Sequence, residues 1–156
     1  MNIRNAEERD FPAISRLFWE SDTFHAENLP SIYNKTDTPF RSIEYYRKLI
    51  ENPDALFFVM EKNDEVVGFA YGYEEQKGTL PIHKKRTFFF IDNIVVRKDH
   101  QGSGIGSQLL DWVITECRER KYSDIMLNVY SFNAGAIALY EKKGFTQLSR
   151  DYILEL

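Results

Sequence analysis

Apolar positions along the chain change their spacing several times, and each change marks a new predicted element. The runs at 55–61 and 65–73 are rich in Val, Phe and Tyr, which is typical of strands. Asn63 and Asp64 lie between them and suit the positive φ angles of a tight turn, so we predict an antiparallel hairpin. A third run, at 87–96, has the β-branched and aromatic content of a central strand.

Four segments have the three- and four-residue spacing of amphipathic helices. The first begins at Asp10, whose side chain can cap it, and is predicted to end near Ser21. The second opens at Ser42 and the third at Ile105. The fourth runs over 133–143 and stops at a glycine, where left-handed backbone costs little.

The segments between these elements complete the predicted fold. Prolines and asparagines break the stretch 22–41, which we predict to be a loop that lines a substrate site. Further strands are predicted at 1–4, 124–130 and 145–155, the last of which completes the sheet. This order predicts an α/β (α+β) protein with a mixed sheet, in a single domain over 1–156.

Composition and charge exclude several classes of protein. The net charge of −4 provides no basic field for nucleic acid or for an anionic membrane, so neither is expected as a partner. The acidic start of the chain and the lack of a long apolar run predict a cytoplasmic protein. The single cysteine, Cys117, excludes an internal disulfide and a multi-thiolate zinc site, and we interpret it as a core residue. No metal is expected.

A buried strand, a short polar link and three alternating glycines lead into the third predicted helix. Glycines at such a turn let backbone amides approach a phosphate or pyrophosphate at a helix start, although they can also simply close a turn. Gly106 is followed by Ser107 and Gln108, so the Gly-Lys-Ser/Thr ending of a P-loop is absent. The glycine spacing and the position late in the chain also exclude a dinucleotide fingerprint. A different pyrophosphate-bearing cofactor is indicated.

Two ordered motifs resemble those of the GNAT superfamily of N-acetyltransferases. The segment Gln101-Gly102-Ser103-Gly104-Ile105-Gly106 matches that family's Arg/Gln-x-x-Gly-x-Gly/Ala signature. The segment 133–145 is similar to the family's asparagine, tyrosine and Gly-Phe pattern. The resemblance covers nearly the whole chain, is weakest over 22–41, and implies a GNAT-like fold with a mixed, mostly antiparallel central sheet flanked by helices.

The resemblance implies acetyl-CoA as the acyl donor. The backbone of the strand before the glycine turn would hold the pantetheine arm, and an amide at Val95 or its neighbour would polarise the acetyl carbonyl. Amides of the turn would hold the pyrophosphate. Asn133 would contact the cofactor, cap the last helix, or do both. The implied cofactor-binding residues are Ile94, Val95, Val96, Gln101, Gly102, Ser103, Gly104, Ile105, Gly106, Ser107 and Asn133.

The resemblance also implies two catalytic residues. Tyr140 matches the tyrosine that protonates the departing CoA thiolate, although a core role with its hydroxyl bonded to backbone is the alternative. Asp92 lies where some members carry a glutamate base, and it stands among apolar strand residues, where an unpaired carboxylate is costly. Because aspartate is one methylene shorter, it is expected to act through water.

His25 and Tyr33 lie in the predicted loop and are the candidate substrate-binding residues. The expected activity is acetyl transfer to a primary amine of a small molecule or peptide, and the resemblance suggests a homodimer. Two alternatives remain open from the sequence: a non-catalytic acyl-CoA-binding or sensing module on the same fold, and a structural protein whose glycine turn is only a turn.

Overall fold

The computed structural model describes residues 1–156 and is built around a five-stranded sheet. The first four strands pair as antiparallel neighbours in chain order, and the fifth is parallel to the fourth. The mixed, mostly antiparallel sheet is therefore confirmed. The strands are β1 (Asn2–Asn5), β2 (Ala55–Lys62), β3 (Glu65–Lys77), β4 (Arg86–Val96) and β5 (Ile125–Leu127).

Four α-helices flank the sheet: α1 (Phe11–Asn28), α2 (Ile43–Ile50), α3 (Ile105–Glu119) and α4 (Ala134–Lys142). Residues of α1 and α2 form one core cluster with the strands, around the buried Phe69. Residues of α3 form the other cluster around Phe89, and α4 packs against it through Leu139 and Tyr140. Cys117 is buried in this second cluster, and burial raises its thiol pKa to about 12. No helix has both the length and the apolar character needed to cross a membrane.

The first helix is longer than the sequence pattern predicts. The predicted end near Ser21 is wrong, because α1 continues to Asn28 and stops just before Pro30. No glycine or proline lies between Pro12, in the first turn, and Pro30, and the helix continues to bury apolar surface at Ala26. His25 therefore lies on a helix rather than in a loop.

Asp10 anchors the start of α1 in a different way from the one predicted. Its side chain does not cap the helix but accepts two 2.8 Å hydrogen bonds from Arg4 and one from the Glu7 amide. Arg4 also reaches Glu61 on β2, at 3.1 Å. Burial alone would raise the pKa of the Asp10 carboxyl, but the bonds from Arg4 and Glu7 hold that pKa below its usual value.

The predicted strand at 145–155 is absent from the sheet, and this expectation is wrong for the single chain. Residues 146–156, which we call the tail, form no hydrogen bonds between backbone groups and are exposed throughout. The predicted strand at 124–130 is also shortened, since β5 ends at Leu127. The tail does not pair with any strand of its own chain. β5 has no second neighbouring strand, which would otherwise lengthen it.

We expect Asp10→Asn to lower the free energy of unfolding by about 2 kcal/mol at neutral pH, because Arg4 then loses a buried charged partner. Since the native pKa of Asp10 is lowered, its contribution is present above the unfolded-state pKa and disappears as pH falls through the native value. The difference between variant and native protein should therefore shrink in acid. Denaturant unfolding at several pH values measures it, with the exposed Glu8→Gln as the control.

Candidate active site

The fourth and fifth strands diverge and leave a cleft between them. β5 pairs only with Phe89–Ile91, whereas β4 continues to Val96. The backbone edge of β4 beyond Ile91 therefore has no strand partner on that side. A cleft of about 1220 Å³ opens there, lined by residues of α1, β4, the glycine turn, the segment after β5, and α4.

A β-bulge at Asp92 interrupts the pairing of β4 with β3. Tyr71 pairs with Asn93 and Gly72 pairs with Ile91, so Asp92 has no partner in the register. A bulge of this kind reverses the facing of the residues that follow it. Asp92 therefore does not follow the two-residue alternation of side chains that places its apolar neighbours in the core.

Beyond the bulge, alternate residues direct their backbone groups to opposite sides. Arg97 donates its amide to Val67 of β3 at 2.9 Å, and Val95, two residues earlier, faces β3 in the same way. Of the positions expected to supply the amide that polarises the carbonyl, Val95 is therefore excluded and its neighbours remain. Ile94 and Val96 direct their amides toward the cleft, although the Val96 carbonyl already accepts a 3.2 Å bond from the Gln101 side chain.

The glycine turn provides open space in front of α3. Gly102 and Gly104 have φ values of +77° and +84°, and a Cβ added at either would meet nothing within 4 Å. Non-glycine residues rarely adopt such angles, so the turn depends on glycine. The amides at the helix start are consequently free to approach an anion, which fits the pyrophosphate of coenzyme A. Ser103 instead bonds the His100 carbonyl and does not line the cleft.

Tyr140 lines the cleft with its hydroxyl free. The ring packs 5.8 Å from that of Phe145, and the hydroxyl makes no hydrogen bond within the protein. The backbone-bonded arrangement considered from the sequence is therefore not the one adopted. Burial raises the pKa of the phenol, which stays protonated and able to donate a proton at neutral pH.

Asp92 reaches the same cleft from the other side of the bulge. Solvent reaches its carboxylate from the cleft, but protein surrounds it elsewhere, and this partial desolvation raises its pKa above the ordinary value. The Arg41 guanidinium and the Asn93 amide act in the opposite direction without cancelling the effect. The carboxyl is thus more basic than an ordinary aspartate.

Asn133 caps α4 and lines the cleft as well. Its side-chain oxygen accepts a 3.2 Å bond from the Ala136 amide, which satisfies one free donor of the helix start. Its side-chain amide group makes no hydrogen bond within the protein. The two interpretations made from the sequence are therefore compatible.

An aromatic cluster closes one end of the cleft. The ring of His25 lies 5.8 Å from that of Tyr33, 5.6 Å from Tyr130 and 6.0 Å from Phe132. His25 Nδ1 donates to the Ser21 carbonyl at 2.8 Å, which leaves Nε2 without a partner. The hydroxyls of Tyr33 and Tyr130 share a short hydrogen bond, and this bond raises the pKa of Tyr33.

The loop between α1 and α2 is fixed against α1. Trp19 donates its indole N–H to the Thr36 carbonyl at 2.9 Å, and Arg41 forms an ion pair with Asp22. Tyr33 belongs to this loop and contacts the cleft residues His25 and Tyr130, but does not itself line the cleft.

Several cleft residues were not identified from the sequence. Glu20, Thr23, Phe24 and Glu27 all line the cleft from α1, and the Thr23 hydroxyl is buried without a hydrogen-bond partner. Their spacing of three and four residues is that of one helix face, so extending the first helix to Pro30 would have found them. No spacing pattern in the sequence indicates Tyr130 as a cleft residue in the same way.

The remaining predicted residues are brought together at the cleft. Of the thirteen residues proposed as catalytic or cofactor-binding, all except Ser103 line it. His25 lines it as well.

Solved structures share this fold along the whole chain. The tetramutant of the BH1408 protein from Bacillus halodurans matches with a TM-score of 0.93 at 21% identity and covers 100% of both chains. An aminoglycoside acetyltransferase from an uncultured soil metagenomic sample matches with a TM-score of 0.69 at 20% identity, covering 99% of this chain and 97% of that chain. At such identities the similarity shows the fold alone.

Sequence relatives are named acetyltransferases. The ribosomal protein bS18-alanine N-acetyltransferase of Escherichia coli is 34% identical over 99 residues, covering 62% of this chain and 60% of that protein. N-alpha-acetyltransferase 30 of Dictyostelium discoideum is 29% identical over 124 residues, covering 80% and 64%. The chain thus spans less than two thirds of the length of either relative.

The acetyltransferase (GNAT) family model matches residues 11–145, which include the bulge at Asp92, the glycine turn and Tyr140. This match covers most of the chain and agrees with the fold. The chain belongs to the GNAT family of acetyltransferases.

Proposed function

We propose that residues 1–156 act as one N-acetyltransferase that moves the acetyl group of acetyl-CoA to a primary amine of a small molecule or peptide. Transfer would occur by direct attack in a ternary complex. The observation that carries this proposal is that one cleft combines the open edge of β4, the glycine turn, Asp92 and Tyr140. A site for the donor and the groups needed for proton transfer thus share one space.

The donor would be held chiefly by backbone. The cleft-facing groups of Ile94 and the amide of Val96 can pair with the pantetheine amides, as an added strand would. The free amides from Gly102 to Ser107 would receive the pyrophosphate. Bound acetyl-CoA supplies a thioester, whose carbonyl the Ile94 or Val96 amide would polarise.

The reaction requires the amine nitrogen to bond to the acetyl carbon as the bond from that carbon to sulfur breaks. Asp92, directly or through water, would accept the proton that the amine loses. Tyr140 would donate its hydroxyl proton to the departing sulfur. The raised pKa values of both residues suit these roles, since one gains basicity and the other remains a donor.

Acidic and aromatic residues support a cationic acceptor. Four carboxylates line the cleft, at Glu20, Glu27, Asp92 and Asp151, and the only lysine is Lys98. His25 and its aromatic neighbours close the end reached from α1, and rings of this kind also attract cations. The name of the Escherichia coli relative, an N-acetyltransferase for an alanine of a ribosomal protein, supports a peptide amine as one acceptor class.

We expect amine-dependent release of CoA thiol from acetyl-CoA with at least one member of a panel of polyamines, amino acids, aminoglycosides and peptides. Tyr140→Phe should lower kcat about 100-fold, because the proton donor is lost, while affinity for CoA stays unchanged. Tyr122→Phe is the matched control, since Tyr122 packs on Phe89 outside the cleft. Binding of acetyl-CoA with no turnover on any amine would contradict the proposal.

Gly104→Val should weaken CoA binding at least tenfold, because its side chain would occupy the space in front of α3. Valine at a positive φ also strains the backbone by about 1–2 kcal/mol, so strain needs its own control. Gly144→Val supplies it, since Gly144 has a φ of +90° and open space around it but lies outside the cleft. Calorimetric titration with CoA compares the two variants. Equal affinities would contradict the assigned pyrophosphate site.

We expect kcat/KM to fall as pH decreases through the raised pKa of Asp92, because only the carboxylate accepts a proton. Asp92→Asn should lower the rate and remove this acid limb. Asp111→Asn should retain the limb, since Asp111 lies on the exposed side of α3, paired with Lys143. An acid limb that survives in Asp92→Asn would assign the base to another group.

A further inference from the structure

The hairpin formed by β3 and β4 projects beyond both of its neighbouring strands. β2 pairs with β3 only as far as Tyr73, and β5 pairs with β4 only from Phe89 onward. Beyond those positions β3 and β4 continue to pair with each other as far as Lys77 and Arg86. The hairpin therefore forms an arm that extends roughly 13 Å past the rest of the sheet before its connecting loop begins.

The loop at the end of the arm, residues 79–85, is closed at its base, and we call it the tip. Gly78 has a φ of +117°, and a Cβ there would lie 2.6 Å from the Lys84 carbonyl oxygen and 2.7 Å from the Lys85 Cα. The two sides of the loop thus touch at a point where only glycine leaves room. All seven residues of the tip are exposed, and none of them lines the cleft.

The turn at the apex of the tip displays two aliphatic side chains. His83 donates its amide to the Leu80 carbonyl at 2.9 Å, so Pro81 and Ile82 are the central residues of the turn. Proline at the first central position has the φ angle that such a turn requires. Leu80 is 58% exposed and Ile82 is 86% exposed, and neither belongs to a core cluster. The turn therefore presents both side chains to solvent.

Positive charge is concentrated beside these side chains. Residues 77–86 include four cationic residues and no acidic residue, although the whole chain carries a net charge of −4. The two cations at the base of the arm form ion pairs with carboxylates. Lys84 and Lys85, in the tip itself, form no ion pair within the protein. Their charge is therefore available to an external partner.

We propose that the tip docks on an anionic lipid surface, with Leu80 and Ile82 entering the interface and Lys84 and Lys85 at the phosphate headgroups. A fluid, negatively charged bilayer can receive a convex apolar apex and attract the lysines beside it. Lysine stems lie along apolar surface while their ammonium groups remain among the headgroups. The turn is already ordered by its hydrogen bond and its proline, so docking requires little further ordering.

The net charge of the chain, on which the expectation of no membrane partner rests, does not decide this contact. Exposed charges separated by more than about 8 Å are largely screened at physiological ionic strength. The arm carries the tip roughly 13 Å beyond the neighbouring strands, so acidic side chains in the rest of the sheet act on it only weakly. The local charge of the tip therefore governs its attraction to a surface.

Two other kinds of partner fit the tip less well. A stable protein interface buries about 800 Å² on each side, and two side chains on a convex turn supply only a small part of that area. Proteins that bind single-stranded nucleic acid stack aromatic side chains on the bases, and the tip contains no Phe, Tyr or Trp. The combination of aliphatic residues with free lysines favours lipid.

Vesicle sedimentation tests the docking without any acyl donor or acceptor. We expect the native chain to sediment with vesicles made of equal parts phosphatidylcholine and phosphatidylglycerol, and not with phosphatidylcholine alone. Leu80→Ser/Ile82→Ser should lower the partition coefficient at least ~10-fold, because both apolar side chains are lost from the interface. Lys84→Gln/Lys85→Gln should lower it about 25-fold, since each lysine near an anionic bilayer contributes about fivefold.

Matched variants on other surfaces control for general stickiness and charge. Ile32→Ser/Phe40→Ser removes two exposed apolar side chains from the loop between α1 and α2. Lys48→Gln/Lys142→Gln removes two exposed lysines from α2 and α4. Both variants should bind the mixed vesicles as the native chain does. Circular dichroism checks that every variant retains the fold.

Entry of the apex into the bilayer is measured separately with Ile82→Trp. Brominated phosphatidylcholine quenches a tryptophan that lies within the bilayer, so the added indole should be quenched in mixed vesicles. Ile32→Trp, with its indole on the loop between α1 and α2, should not be. The two native tryptophans are present in both samples and cancel in the comparison.

Three outcomes would overturn the proposal. In the first, the native chain fails to sediment with the mixed vesicles. In the second, the native chain sediments but Leu80→Ser/Ile82→Ser and Lys84→Gln/Lys85→Gln bind equally well, which would assign the contact to another surface. In the third, the chain binds a mixed-sequence RNA through Lys84 and Lys85 and binds no vesicle, which would assign the tip to nucleic acid.

Discussion

The site depends on a strand edge that the protein leaves unpaired. Backbone amides and carbonyls inside a protein need partners, and each unpaired group costs about 1–3 kcal/mol once it is shielded from water. β4 satisfies this requirement on the β3 side along its length, but on the other side only as far as Ile91. The divergence of β5 therefore preserves a row of hydrogen-bonding groups that an extended ligand can complete.

The β-bulge places an ionisable side chain, that of Asp92, beside this open edge. Without the extra residue at Asp92, regular alternation along β4 would turn a carboxylate at this position into the packed core. Otherwise it would turn the amides of Ile94 and Val96 away from the cleft. With it, one residue turns toward the cleft while Phe89 and Ile91 remain buried. Tyr140 approaches from α4, a separate element, so the proposed acid and the proposed base are held by different parts of the fold.

Desolvation shifts the pKa values of Asp92 and Tyr140 in the same direction, but the chemical consequence differs for the two groups. Desolvation raises the pKa of both Asp92 and Tyr140, since it disfavours the charged form of each. For the carboxyl this increases basicity, and for the phenol it secures the proton. Arg41 limits the effect on Asp92, and its ion pair with Asp22 fixes the loop that carries Arg41 against α1.

Local patterns predicted most of this fold because the elements concerned are determined by near neighbours. The hairpin through Asn63 and Asp64 and the helix from Ile105 are confirmed. The grouping of the glycine turn with Tyr140 followed from the resemblance to the GNAT motifs. The predictions were wrong where contacts between residues far apart in the sequence determine the structure. Helix α1 passes through its polar stretch because it packs on the sheet and on Arg41, and the direction of the Val95 amide depends on a bulge that residue types do not reveal.

The tail illustrates a different limit of sequence reasoning. Its alternating residues specify a strand, but alternation contains no information about whether the neighbouring strand belongs to the same molecule. Asp151 lines the cleft of its own chain, whereas Tyr152 and the residues after it extend into solvent. The same short segment thus places a carboxylate at the cleft and leaves the apolar side chains that follow it uncovered.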